Sequence, residues 1–109
     1  MTSARRSRDS EPTLTVIFWR DIPAQVKARS GRERASWVLP ERFMMAVDAA
    51  ATKAGKTDID DYVAEWREVA TTCGPDLEAE VQAAAARLDS EYSQDRLRSL
   101  VQTEGWTAD

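Results

Sequence analysis

The alternation of apolar and polar positions divides the chain into a strand-forming front and a helical back. From Leu14 to Trp19 the residues are Leu-Thr-Val-Ile-Phe-Trp, nearly all β-branched or aromatic, the composition of a strand that fits a pleated and largely buried surface. At a period of two, Leu14, Val16 and Phe18 project to one side and Ile17 and Trp19 to the other, so both faces are expected to meet protein. This strand is expected at the centre of the sheet, with helices from later in the chain covering it. Asp21 to Pro23 interrupt it, because proline lacks the N–H that a ladder uses. Ala24, Val26 and Ala28 then alternate with Gln25, Lys27 and Arg29, a half-exposed strand. Ser30-Gly31 is a turn signal, and Arg32 to Leu39 can return as the second arm of a hairpin. In that arm Ala35, Trp37 and Leu39 share one face and Arg32, Arg34, Ser36 and Val38 the other. A helix beginning near Glu33 is the competing reading.

Beyond Pro40 the period changes to 3.6. Pro40 and Glu41 suit the first turn of a helix, Phe43, Met44, Val47, Ala50, Ala51 and Ala54 form its inner stripe, and Gly55 closes it. A second helix is predicted from Thr57 or Asp58, with Asp60 and Asp61 in its first turn and Ile59, Tyr62, Val63, Trp66, Val69 and Ala70 along one side, ending at Gly74-Pro75. Trp19 and Trp66 are expected in the core, with the first strand against this second helix. Leu77, Val81, Ala84, Leu88 and Tyr92 mark a third helix. Leu97 lies about 200° around from Leu77 at 100° per residue, so a break is expected near Ser93, which caps a last helix carrying Leu97, Leu100 and Val101 up to Gly105. The expected fold class is α+β: a small antiparallel sheet of about three strands packed against three to four helices. At 109 residues this is one domain, placed at 13–105, between an N-terminal tail at 1–12 expected to be disordered and a C-terminal tail at 106–109.

Composition changes this picture by exclusion. The chain has no histidine and a single cysteine, which removes His-based triads, His general acid–base catalysis and nearly all zinc or iron sites, so no metal and no cofactor is expected. Neither GxxxxGK[ST] nor GxGxxG occurs, and the group Asp58, Asp60, Asp61 lacks the glycine and glutamate of a calcium loop; helix capping accounts for it. Cys73, expected at a helix C-terminus, meets the negative end of the dipole and is read as inert. With no apolar run long enough to span a bilayer, no secretory signal and no possible internal disulfide, the expectation is a soluble cytoplasmic protein without membrane association.

Charge is uneven: residues 1–42 hold nine Lys/Arg against five Asp/Glu, and residues 43–109 hold six against fourteen. A sequence pI near 4.9 argues against nucleic-acid binding. Within the basic front, Arg20, Lys27, Arg29, Arg32, Arg34 and Arg42 form a cluster in which five of six are arginine, the residue suited to bidentate recognition of carboxylate or phosphate. An ordinary solvated hairpin has the same composition. The candidate binding residues are Arg20, Asp21, Gln25, Arg32, Arg34 and Arg42 with Trp19. The arginines are expected to gather around the end of the first strand, beside Asp21, which would orient one guanidinium. No catalytic residues are singled out.

The run TVIFWRDIPAQV, followed after the basic hairpin by LPERF, then a helix ending in AG, then DDYVAEWRE, resembles the small bacterial proteins grouped as the virulence factor family. A similar domain closes the larger protein called conserved virulence factor C. The likeness spans about Thr13 to Leu100, through Trp19, Arg20, Asp21, Pro23, Gln25, Pro40, Glu41, Arg42, Phe43, Tyr62, Trp66 and Arg67. The family name describes phenotype and carries no activity. The resemblance further implies company with folate and corrinoid methyl-transfer proteins. It leads to the expectation of a non-enzymatic accessory module whose partner is another protein, such as a one-carbon enzyme; the alternative is a small subunit holding a polyanionic ligand such as a folate through the arginine-rich hairpin.

Overall fold

The computed structural model describes residues 11–107; of the two expected tails, residues 1–10 and 108–109 lie outside them. Two hairpins open the fold. Strand β1 (Thr13–Trp19) turns through Arg20-Asp21 into β2 (Ile22–Ser30), and β2 turns through Gly31-Arg32 into β3 (Glu33–Val38). Each two-residue turn has a left-handed first residue, Arg20 at φ 55° and Gly31 at φ 61°. Glycine adopts that region freely, whereas arginine does so at a cost that its surroundings must offset. Opposite Ile17-Phe18 the register between β1 and β2 shifts, so that Ile17 pairs with Gln25 and Phe18 with Pro23, leaving Ala24 as the extra residue of a bulge. A bulge is where a proline can be accommodated within a strand. Pro23 therefore sits inside β2.

Helix α1 (Glu41–Ala54) follows, closed by Gly55 at φ 75°. The predicted second helix is then largely replaced. Only Ile59–Val63 is helical (α2), and Trp66–Thr72 form a fourth strand, β4, which pairs antiparallel with β1 over its whole length. The sheet order is β3-β2-β1-β4, so it has four strands rather than about three. The helical period in Ile59, Tyr62, Val63, Trp66, Val69 and Ala70 was matched by an equally good strand composition in Trp66-Arg67-Glu68-Val69-Ala70-Thr71-Thr72. The unsatisfied backbone edge of β1, which no local pattern reveals, decides between them. Trp66 consequently lies opposite Trp19 in the ladder instead of on a helix, and Cys73 follows a strand rather than a helix, its N–H donating to Pro12 O at 3.1 Å. Helices α3 (Leu77–Glu91) and α4 (Gln94–Gln102) complete, among the described residues, an α+β fold of four strands and four helices. Asp76 and Ser93 cap them by accepting from the Ala79 and Arg96 N–H groups.

Helices α1 and α3 lie against one face of the sheet with α4 beside α1, while α2 sits over Trp19 at the end of the other face. α3 packs on β2 and β3, and α1 lies between β2 and α4; Val26, Ala28 and Ala35 meet Phe43, Val47, Val81, Ala84 and Leu97 in one buried cluster. At the far end of β1, Trp19 is fully buried. It stacks on Tyr62 of α2 at 5.9 Å and donates from Nε1 to the Tyr62 carbonyl at 2.9 Å. Trp66 is half-buried and meets the same Tyr62 ring edge-on. The other face of β1 is not covered along its length: Thr13, Thr15 and Ile17 remain half-exposed. Both faces of β1 were expected to meet protein; from Thr13 to Ile17 the described chain covers one of them.

Candidate functional site

The uncovered face is set by strand parity. Thr13 pairs with Arg29 and Arg29 with Arg34; Thr15 pairs with Lys27 and Ala70, and Lys27 with Ser36; Ile17 pairs with Gln25 and Glu68, and Gln25 with Val38. Residues directly opposite in antiparallel strands share a face. The twisted surface so formed borders a concavity of about 740 Å³ lined by Thr13, Thr15, Lys27, Arg29, Arg34, Ser36, Glu68 and Ala70 together with Ala28, Ala35 and Glu78. Gln25 lies further along, where Ile17, Ala24, Val38, Met44 and Trp66 line a smaller apolar recess.

Two cations stand out on this face. Arg29 and Arg34 are exposed and directly opposite each other, an arrangement that repels. Among the described residues neither side chain, nor that of Arg32 in the turn, takes part in an ion pair or hydrogen bond, whereas Lys27 reaches Glu68 at 3.6 Å. Hydroxyls of Thr15 and Ser36 share this face, as does that of Thr13, which donates to the Glu11 carbonyl at 3.3 Å. Chemically this is a surface with two free guanidinium forks and neutral donors, suited to carboxylate or phosphate oxygens.

The remaining candidates serve the fold. Arg20 is only 7% exposed. Its guanidinium lies between the rings of Trp19 and Trp106, 5.1 and 4.9 Å from their centroids, donates from Nε to Glu65 Oε1 at 3.2 Å, and donates from a terminal nitrogen to the Glu104 carbonyl at 2.8 Å. Asp21 Oδ1 accepts from Arg67 at 2.9 Å and Oδ2 from the Thr107 N–H at 2.6 Å, while the Asp21 N–H donates to Gly105 O at 2.8 Å. Burial raises the Asp21 carboxyl pKa, but the Thr107 hydrogen bonds and the Arg67 guanidinium outweigh it and leave the value below the usual carboxylate range. Asp21 does orient a guanidinium, but that of Arg67. Arg42, on the first turn of α1, donates to the carbonyls of Asp89 and Tyr92 and pairs with the Asp89 carboxylate, closing the C-terminal end of α3.

The expected gathering of Arg20, Arg32, Arg34 and Arg42 around the end of β1 does not occur. Arg32 in the turn and Arg34 in β3 beside it lie toward the start of β1, and Arg20 follows its end, roughly 20 Å away along seven residues at ~3.3 Å each. Trp19 is core. Lys27 and Arg29 join Arg34 on the open face; the period-two alternation that put Lys27 and Arg29 on one side of β2 was the signal for them. Of the residues that hold the Trp19-Arg20-Asp21 segment in place, Glu65 and Gly105 carried no such signal, and Arg67 was marked by the family resemblance alone. Cys73 is half-buried, and burial first, then Glu80, pushes its thiol pKa up, away from nucleophile chemistry. Among the described residues, no helix is long and apolar enough to cross a membrane.

No curated protein sequence and no solved structure matches this chain. The family described as Virulence factor does: its model matches residues 17–101, from the middle of β1 to the last turn of α4, taking in the β2–β3 hairpin, β4 and every residue of the open face except Thr13 and Thr15. On that extent of agreement the chain belongs to the virulence factor family.

Proposed function

We propose that this chain is a non-enzymatic accessory module of a bacterial cytoplasmic system, docking an acidic surface of a partner protein on the uncovered face of its sheet. The observation that carries this reading is the Arg29–Arg34 pair: two like charges directly opposite on neighbouring strands, with no carboxylate of the described chain engaging either. Carboxylates brought by a partner relieve that repulsion and gain charge-assisted hydrogen bonds. The company implied by the family resemblance makes a one-carbon methyl-transfer enzyme the first partner to try. A tagged pull-down from the native host with mass spectrometry tests it: a partner recovered with the parent and lost with Arg29→Glu/Arg34→Glu is expected. A partner retained by that variant would place the interface elsewhere.

A second reading rests on the concavity, whose volume of about 740 Å³ is in the range of small-ligand sites: a polyanion such as a polyglutamylated folate, with its carboxylates on the same arginines. Calorimetric titration of such a folate separates the two. Heat that disappears in Arg29→Glu/Arg34→Glu supports a ligand site, and no heat removes it.

A further inference from the structure

β4 forms one margin of the sheet, and the bonding pattern decides which of its backbone groups are free. The Arg20 N–H donates to Glu65 O before the strand, the Cys73 N–H donates to Pro12 O after it, and the register between them has no shift. Antiparallel pairs alternate between residues that exchange both bonds and residues that exchange none. Arg67, Val69 and Thr71 therefore bond to β1, while Trp66, Glu68, Ala70 and Thr72 aim N–H and C=O out of the sheet. No backbone bond among the described residues uses those outward groups. Edge strands are usually blunted by proline, a bulge or free charges. β4 has no proline and no bulge, and its two charges are engaged within the chain, Arg67 by Asp21 and Glu68 by Lys27.

We propose that two copies of the chain join through β4, antiparallel about a two-fold axis at Val69, turning two four-stranded sheets into one continuous sheet. The strand is complementary to itself in this register. Trp66 falls opposite the partner strand's threonine at the position of Thr72, and Glu68 opposite the position of Ala70, so all four outward residues of each strand are bonded and no like charges meet. Centring on Glu68 would oppose two carboxylates, and centring on Ala70 would carry Trp66 past the end of the opposing strand. Val69, 42% exposed, packs against its own copy on the helix side. The axis is perpendicular to the sheet, so both basic faces lie on the same side.

Sedimentation of the full chain at tens of micromolar is expected to give twice the 12.2 kDa chain mass. Ala70→Pro removes an outward N–H and no β1–β4 bond, a position where edge strands accept proline, and is expected to bring the mass to that of one chain. The register is read by cross-linking in a Cys73→Ser background. Val69→Cys places two thiols at a non-bonded pair with Cα atoms about 4.5 Å apart, and is expected to oxidise to a covalent dimer. Thr71→Cys leaves them four residues out of step, roughly 13 Å at ~3.3 Å per residue, and is expected to stay reduced. A parent that sediments as a single chain overturns the proposal. So does a dimer that both variants at positions 70 and 69 leave untouched, or equal cross-linking at 69 and 71. If Ala70→Pro fails to fold, the cross-linking pair decides alone.

Discussion

A guanidinium buried as deeply as that of Arg20 is tolerable only because every direction it faces is occupied: two indole rings, the Glu65 carboxylate and the Glu104 carbonyl. Its neighbours are fixed by the same contacts. Gly105, at φ 95°, leaves little room for a side chain, since an added Cβ would lie 3.1 Å from Trp19 and 3.2 Å from Arg20. Gly105→Ala is therefore expected to cost about 1 to 3 kcal/mol from the left-handed backbone alone, with further loss if Trp106 leaves the guanidinium, and a thermal melt with intrinsic tryptophan fluorescence measures both. Arg20→Lys keeps the charge but loses the planar fork and the stacking, and is expected to melt well below the parent. Asp21 gives a pH test with a definite sign. Its folded pKa is lowered from 3.8, so its contribution is fully present above 3.8 and is lost as pH falls through the lower folded value. Asp21→Asn should be less stable than the parent by about 1 to 2 kcal/mol at neutral pH, and the gap should close in strongly acidic solution. A gap that is constant with pH would mean the carboxylate charge contributes nothing.

The second tryptophan shows where element-level reading works and where it stops. β1, both arms of the β2–β3 hairpin, α1 and the Ser93 break between α3 and α4 were legible because their signals are local: alternation, a Ser-Gly turn, Pro and Gly at helix ends. The segment around Trp66 carries two good local patterns, and only pairing with β1, some 45 residues earlier in the case of Arg20 and Glu65, selects the strand. The same distance hides the site. Parity places Lys27, Arg29, Arg34 and Ser36 on shared faces of their strands, but that Arg20 and Arg42 are occupied by Glu65 and Asp89 depends on partners 45 and 47 residues away. The correction has an energetic consequence. Trp19, fully buried between strand and helix, should cost about 3 to 5 kcal/mol when replaced by alanine. Trp66, half-buried on an edge strand, keeps one face in water and should cost less than half as much. Chemical denaturation of the two alanine variants checks the order, and equal losses would put Trp66 back in the core.

Across the whole molecule, a basic open face and an acidic remainder are built on one sheet, and stability and binding pull in opposite directions at Arg29 and Arg34. Directly opposed like charges weaken a strand pair, and opposite charges there contribute roughly 0.2 to 1 kcal/mol. Arg34→Glu turns the first arrangement into the second, so the isolated protein is expected to melt slightly higher than the parent. Binding should move the other way. A partner that uses both guanidinium forks loses one and gains a repelling carboxylate, and what attraction is left fades further between low salt and 0.15 M, where charges more than about 8 Å apart are screened. A residue present only for the fold would lower stability and binding together when reversed. Opposite signs in a melt and in a salt-dependent binding titration of the same variant are therefore the signature of a surface kept for its partner, and a drop in both would assign the arginine pair to the architecture of the hairpin.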